Sequence, residues 1–213
     1  MTTELQWKEQ EEDMRKRLSL AILAASAMLL TSCGNGDDGA ADTATAPVGV
    51  VWGEQAGVKL PVTSADSGPG VLEPVPHQFA HTPQGAVIAA MITQVWMATA
   101  NDNQWTDVSN LMLAPSPGRD QWAQGRVLMS VDGVAKNPPV YRGFQMVDYN
   151  DEQALIGLLA EYPDVGLAVY PVQLAWMNDT WKVVLPTLDE APDITPVDST
   201  DGFTLFGPES KEQ

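Results

Sequence analysis

The sequence has very little cysteine and histidine. Its 213 residues contain one cysteine, Cys33, and two histidines, His77 and His81. A lone thiol excludes an internal disulfide and leaves no second thiol to share a metal ion. The chain also has no G-x-S-x-G sequence and no phosphate-binding loop. It therefore offers no motif for serine-based hydrolysis or nucleotide binding.

Positive charge is also scarce. The chain carries 11 basic residues against 28 acidic ones, a net charge of −17. Five acidic and four basic residues precede Cys33, so 23 acidic and 7 basic residues remain from Cys33 onward, a net charge near −16. This charge repels phosphate backbones and anionic lipid headgroups alike. Nucleic acid is therefore not expected as a partner.

The apolar run ahead of Cys33 is short. Residues 18–30 form a stretch of 13 residues in which only two serines are polar, whereas a membrane span needs about 20 apolar residues. The run follows the basic residues 15–17 and ends at the small residues Thr31 and Ser32. This order is typical of a secretory signal peptide, which we predict over residues 1–32.

The end of this segment, Leu30-Thr31-Ser32-Cys33, resembles the lipobox of bacterial lipoproteins. The resemblance implies cleavage before Cys33 and a diacylglyceryl group on its sulfur. Two or more acyl chains hold a protein stably to a membrane, so the predicted location is the extracytoplasmic face of the cell membrane. The alternative is a buried structural cysteine that follows an ordinary signal peptide.

The first 13 residues do not fit a signal peptide, because they carry five acidic residues where a basic segment is expected. The stretch from Met14 to Cys33 is a complete lipoprotein signal by itself. Translation is therefore expected to start at Met14, unless residues 1–13 are a tolerated cytoplasmic extension.

Composition divides the rest of the chain into three segments. Residues 33–46 contain the lipidated cysteine and a flexible acidic tether, because residues 34–46 have no large apolar side chain to bury. Residues 47–186 are long enough for a single domain with a core. Residues 187–213 form an acidic, proline-containing tail, and its apolar segment 202–207 is predicted to dock onto the domain.

The clearest element is a helix with Thr82 as its N-cap and Pro83 at its first position. Residues 84–100 carry no charge, so this helix should be largely buried. Weaker helical patterns cover 105–113 and 120–131, and β-like runs cover 48–52, 57–62, 140–149, 153–162, 166–177 and 180–185. These elements predict an α+β fold, a nuclear-transport-factor-like or cystatin-like roll. Its long N-terminal helix would pack on a curved antiparallel sheet of about four strands.

The last two strands predict their own register. With Asn178-Asp179 as a two-residue loop, apolar residues face each other on one side of the hairpin. These pairs are Trp176 with Trp181, Leu174 with Val183, and Val172 with Leu185. The other face pairs Met177 with Thr180, Ala175 with Lys182, and Gln173 with Val184. The tryptophan pair is then expected to lie in the core.

Three motifs together resemble one family. They are "FAHTPQGAVIAA" (79–90), the "WKVVLP" that ends the hairpin (181–186), and "GF-x-x-FG" (202–207). The chain is similar to uncharacterised envelope proteins of actinobacteria and actinophages, which carry a membrane anchor ahead of one such roll. In that family the hairpin loop more often has a glycine and the last motif a tryptophan, where this chain has Asn178-Asp179 and Phe206. The resemblance implies an envelope location and no assigned activity.

Few residues are candidates for chemistry. His77 and His81 have the spacing of a zinc pair, but the flanking prolines disfavour a helix there and no acid or cysteine completes a ligand set. The turn 148–152 is acidic but lacks the glycine and glutamate of a calcium loop. We therefore predict no metal, no cofactor and no catalytic residue. His81 remains open as a general base at a pocket mouth.

The candidate binding surface consists of Trp52, Trp105 and Trp122 together with His81. Two functions fit these features. The first is a lipid-anchored envelope lipoprotein whose non-catalytic domain binds another envelope protein, as an accessory of a mobile element in conjugation or in prophage superinfection exclusion. The alternative is a small-ligand-binding protein or enzyme that uses the cavity of the roll.

Overall fold

The computed structural model describes residues 41–209. The predicted signal peptide, Cys33 and its lipobox, residues 34–40 of the predicted tether and residues 210–213 lie outside the described residues.

The described chain begins with a β-hairpin and continues with helices. Strands β1 (Val51–Gln55) and β2 (Val58–Thr63) pair antiparallel. Helix α1 (Pro83–Thr99) follows, then a short helix α2 (Trp105–Asp107) that runs directly into a π-helix (Val108–Met112), and then α3 (Pro117–Val127).

The second half of the chain is β. The strands are β3 (Val140–Tyr149), β4 (Gln153–Tyr162), β5 (Gly166–Met177), β6 (Thr180–Val184), β7 (Thr195–Pro196) and β8 (Thr204–Leu205). They form one antiparallel six-stranded sheet in the order β6-β5-β4-β3-β8, with β7 on β5. The predicted spans of the three long strands β3, β4 and β5 are confirmed.

The predicted fold class is wrong. The described chain is mainly β, with eight strands in a two-stranded and a six-stranded sheet, and it is not an α+β roll of a long N-terminal helix on about four strands. The hairpin β1–β2 precedes α1, and α1 touches strands of both sheets. The strands β7 and β8 have two residues each, which is too short for an alternating pattern to show in the sequence.

Helix α1 begins as the sequence predicts. The hydroxyl of Thr82 accepts a hydrogen bond from the backbone N–H of Gly85 at 3.0 Å, and Pro83 occupies the first turn. Residues 86–92 are 0% exposed, so the helix is covered on all sides along this stretch. Because residues 84–100 are uncharged, the helix can occupy the middle of the core without burying an ionised side chain.

The predicted register of the β5–β6 hairpin is confirmed. Trp176 pairs with Trp181, Leu174 with Val183, Met177 with Thr180, Ala175 with Lys182, and Gln173 with Val184. The predicted Val172–Leu185 pair lies beyond the end of β6 at Val184. Asn178 and Asp179 both have positive φ, 53° and 59°, which is the geometry of a type I′ turn.

Both ends of the described chain contact the domain. The side-chain amide of Gln84 donates to the carbonyls of Asp42 (2.9 Å) and Thr45 (3.0 Å), so the last residues of the predicted tether lie against the start of α1. In the C-terminal segment, Thr204 and Leu205 form β8 on the outer edge of β3, and the side chain of Phe206 is buried.

Candidate functional site

The side chain of His81 is fixed at the entrance of α1. Its ring stacks on the indole of Trp176, with centroids 3.9 Å apart and planes inclined by 9°. Its Nε2 lies 2.6 Å from the backbone carbonyl oxygen of Asp151. A carbonyl oxygen can only accept, so Nε2 carries the proton and donates it. These contacts join the helix entrance to the β3–β4 turn and to the β5–β6 hairpin.

His81 and Trp176 belong to a larger aromatic group. Trp181 lies at its buried end, 5.5 Å from Trp176 and 5.8 Å from Tyr149 between ring centroids. Trp181 is 0% exposed, and its indole N–H has no hydrogen-bond partner among the described residues. Trp181 fills the end of the core, and the half-buried Trp176 and Tyr149 and the exposed His81 pack over it, which gives the group a packing role.

The other candidate residues fall in two separate aromatic contacts. Trp52 packs on Phe206, with centroids 5.1 Å apart. Trp105 and Trp122 meet edge to face at 6.4 Å. All three tryptophans are half-buried and pack against the core. The structure thus brings Trp105 and Trp122 together, whereas Trp52 and His81 have other aromatic partners.

The candidate metal ligands also have structural partners. The Nδ1 atom of His77 lies 2.8 Å from the backbone carbonyl oxygen of Val75. In the acidic turn 148–152, the side-chain oxygen of Asn150 accepts from the backbone N–H groups of Glu152 and Gln153, both at 2.9 Å. Within residues 41–209, no three histidine, cysteine or acidic side chains come together in a group that could hold a metal ion.

Three consecutive exposed apolar residues lie at the end of α3. Val127 is 67% exposed, Leu128 87% and Met129 56%. We call these three consecutive residues the apolar patch. Val134, five residues further along, is 71% exposed and covers Gly57 in the β1–β2 turn. Exposed apolar residues that adjoin one another are typical of protein-binding surfaces.

A buried arginine holds the patch in place. Arg126, immediately before Val127, is 4% exposed. Its guanidinium donates to the backbone carbonyls of Ala100, at 2.8 Å, and of Met129, at 3.0 Å, and lies 3.6 Å from a carboxylate oxygen of Asp102. Ala100 is the C-cap of α1, so the patch is tied to the last turn of that helix.

The patch and the incoming chain therefore lie at opposite ends of α1. Asp42 and Thr45 are bound to Gln84 in the first turn, and Arg126 is bound to Ala100 after the last turn. The helix has 17 residues, and at about 1.5 Å of rise per residue it separates the two ends by about 25 Å.

Sequence reasoning did not find the patch. In the sequence, the patch corresponds to the run Val-Leu-Met directly after an arginine near the end of a predicted helix. Such a run is read as core, because three apolar residues in succession fit a buried helix end equally well. The guanidinium of Arg126 takes the buried position instead and leaves the three side chains that follow it in solvent.

The described part of the chain has no helix that is both long enough and apolar enough to cross a membrane. A family described as "Domain of unknown function (DUF8175)" matches residues 21–205, most of the chain. The chain therefore belongs to this family. No curated protein and no solved structure matches it.

Proposed function

We propose that this member of the DUF8175 family is a lipid-anchored lipoprotein of the cell envelope whose β-rich domain binds another envelope protein. Cys33 would carry the lipid after cleavage behind Leu30-Thr31-Ser32, and residues 34–40 would connect it to the domain. The function is binding, without a cofactor and without catalysis.

The observation that carries this proposal is the position of the apolar patch. Val127, Leu128 and Met129 expose their side chains beside the last turn of α1, whereas Asp42 and Thr45 are bound at its first turn. Exposed apolar side chains at this end of α1 leave a surface that a protein partner in the envelope can bind.

Charge defines the chemistry of the partner. The chain has a net charge of −17, and the exposed carboxylates of Asp102 and Asp132 lie in the chain segments next to the patch. A complementary surface has an apolar depression surrounded by basic side chains, because opposite charges across an interface raise the association rate and exclude wrong partners. The expected partner is therefore a protein with a basic rim.

A role in a mobile element is a narrower form of the same proposal. It rests on the resemblance to actinobacterial and actinophage envelope proteins. A conjugation accessory would bind a component of the transfer assembly, and an exclusion factor would bind an envelope protein that incoming phage DNA needs. Both roles require an anchored domain with a free binding surface.

Lipidation is tested in cells that are fed an alkyne-labelled fatty acid. The proposal expects the wild-type protein to be labelled and found in the membrane fraction, with Cys33→Ala unlabelled and released. Equal labelling of Cys33→Ala would contradict the proposed anchor.

Partner binding is tested with a photo-cross-linking amino acid at position 124, one turn before the patch, in the native host. Leu128→Asp should abolish the cross-linked product, and Cys33→Ala should reduce it. Leu72→Asp is the matched control, because Leu72 is an exposed leucine (49%) in the loop before α1. The captured protein, once purified, should bind Leu128→Asp at least tenfold more weakly than it binds wild type. If Leu128→Asp and Leu72→Asp gave the same product as wild type, the patch would not be the binding surface.

A further inference from the structure

One methionine of the apolar patch is accessible to oxidants. Met129 is 56% exposed, whereas Met91 and Met112 are 0% exposed. The other methionines of the described chain are half-buried: Met97, Met146 and Met177. A peroxide reacts faster with a thioether that it can reach, so Met129 should be the first methionine of residues 41–209 to be oxidised.

Backbone contacts on both sides of this side chain hold it in solvent. The carbonyl of Met129 accepts from the guanidinium of Arg126 at 3.0 Å. The hydroxyl of the next residue, Ser130, donates to one carboxylate oxygen of Asp102 at 2.6 Å, and the N–H of Val131 donates to the other at 3.3 Å. The chain around the thioether is thus tied to the segment that follows α1.

Oxidation changes the chemistry of the patch at this one position. A lone pair of the thioether sulfur forms an S–O bond with hydrogen peroxide, the O–O bond breaks, and the second peroxide oxygen leaves as water. The product, methionine sulfoxide, is polar, and reductases can return it to the thioether. Val127 and Leu128 have hydrocarbon side chains and do not react in this way.

We propose that Met129 is an oxidation-sensitive switch of the apolar patch. As a thioether, it completes an apolar surface with Val127 and Leu128, and the partner binds. As a sulfoxide, it places a strong hydrogen-bond acceptor against the apolar surface of the partner, where no donor is available, and binding weakens. This inference rests on the proposed function of the patch and adds a condition that releases the partner, exposure to a peroxide.

The selectivity of oxidation is measured on the full-length protein in detergent. Hydrogen peroxide is added, and the oxidation of each methionine-containing peptide is followed by mass spectrometry. Met129 should be oxidised about tenfold faster than Met91 and Met112. The circular dichroism spectrum should not change, because the oxidised side chain lies outside the core. Equal rates for the three methionines would overturn the inference.

The effect on binding is measured with the photo-cross-linking amino acid at position 124 in the native host. Peroxide should reduce the cross-linked product of the wild type about fivefold, and Met129→Gln should give a similar reduction without peroxide. Met129→Leu should keep its product after peroxide, which separates oxidation of the patch from oxidation of the partner. Met177→Leu is the matched control and should respond to peroxide as the wild type does.

Two results would overturn the switch. The first is an equal loss of product in the wild type and in Met129→Leu after peroxide, and the second is an unchanged product in Met129→Gln. Failure of the proposed function gives a different result, because Leu128→Asp would then keep its product as well. If Leu128→Asp abolishes the product and Met129→Gln does not reduce it, only the switch is wrong.

Discussion

The imidazole of His81 lies flat on the indole of Trp176, with ring centroids 3.9 Å apart, and donates from Nε2 to the carbonyl of Asp151. One side chain thus joins the entrance of α1, the β3–β4 turn and the β5–β6 hairpin. These three segments are far apart in the sequence, so the contact stabilises only the assembled fold.

Replacing His81 by alanine should lower the free energy of unfolding by about 1 kcal/mol, because the stack and one hydrogen bond are lost at a partly solvated position. His81→Phe keeps an aromatic ring over Trp176 and should lose about half as much. Urea denaturation followed by tryptophan fluorescence measures both. If the phenylalanine variant lost as much as the alanine variant, the stacking would contribute nothing.

Arg126 should contribute far more to the stability of the fold than Arg119, the other arginine of α3. Arg126→Met removes the donors to the carbonyls of Ala100 and Met129 and leaves both without that partner, which should cost about 2–3 kcal/mol. Arg119→Gln breaks an ion pair with the adjacent, solvent-exposed carboxylate of Asp120 and should cost less than about 0.5 kcal/mol. Chemical denaturation of the two variants measures the difference, and equal losses would argue against the anchoring role of Arg126.

The C-terminal segment should stabilise the domain through one side chain. Phe206 is 5% exposed and lies against Trp52 and Phe144, so Phe206→Ala should cost about 3 kcal/mol. Leu205 precedes it in the chain but is 56% exposed, and Leu205→Ala should cost less than about 0.5 kcal/mol. Thermal unfolding of the pair measures this contrast. Similar small losses for both would mean that the segment does not contribute to the core.

Stability should fall at high pH because of a buried tyrosine. Burial raises the pKa of Tyr141 well above its ordinary value. The unfolded chain therefore releases this proton at lower pH than the folded chain does. The resulting stability is fully present below about pH 10 and is lost as the pH rises beyond it, at up to about 1.4 kcal/mol per pH unit. Circular dichroism and tyrosinate absorbance between pH 9 and 12 should show unfolding and ionisation together, and Tyr141→Phe should shift unfolding to higher pH. An unchanged profile in that variant would assign the effect to other groups.

Several parts of the structure were predictable because their cause is local. The hydroxyl of Thr82, the ring of Pro83 and the uncharged run behind them are sufficient to start and bury α1. In the β5–β6 hairpin, the two-residue loop and the alternation of apolar residues specify one register, since a slip of one residue would exchange the two faces. The strands β3, β4 and β5 are long enough for their residue types to identify them.

The rest was decided by contacts between distant segments. β7 and β8 have two residues each, so only their pairing partners β5 and β3 make them strands and extend the sheet to six. The exposure of Val127, Leu128 and Met129 follows from Arg126 reaching the carbonyl of Ala100, which no local pattern specifies. Local sequence determines elements whose hydrogen bonds and apolar faces lie within a few residues. An exposed surface depends on which elements become neighbours, and that is determined by the tertiary structure.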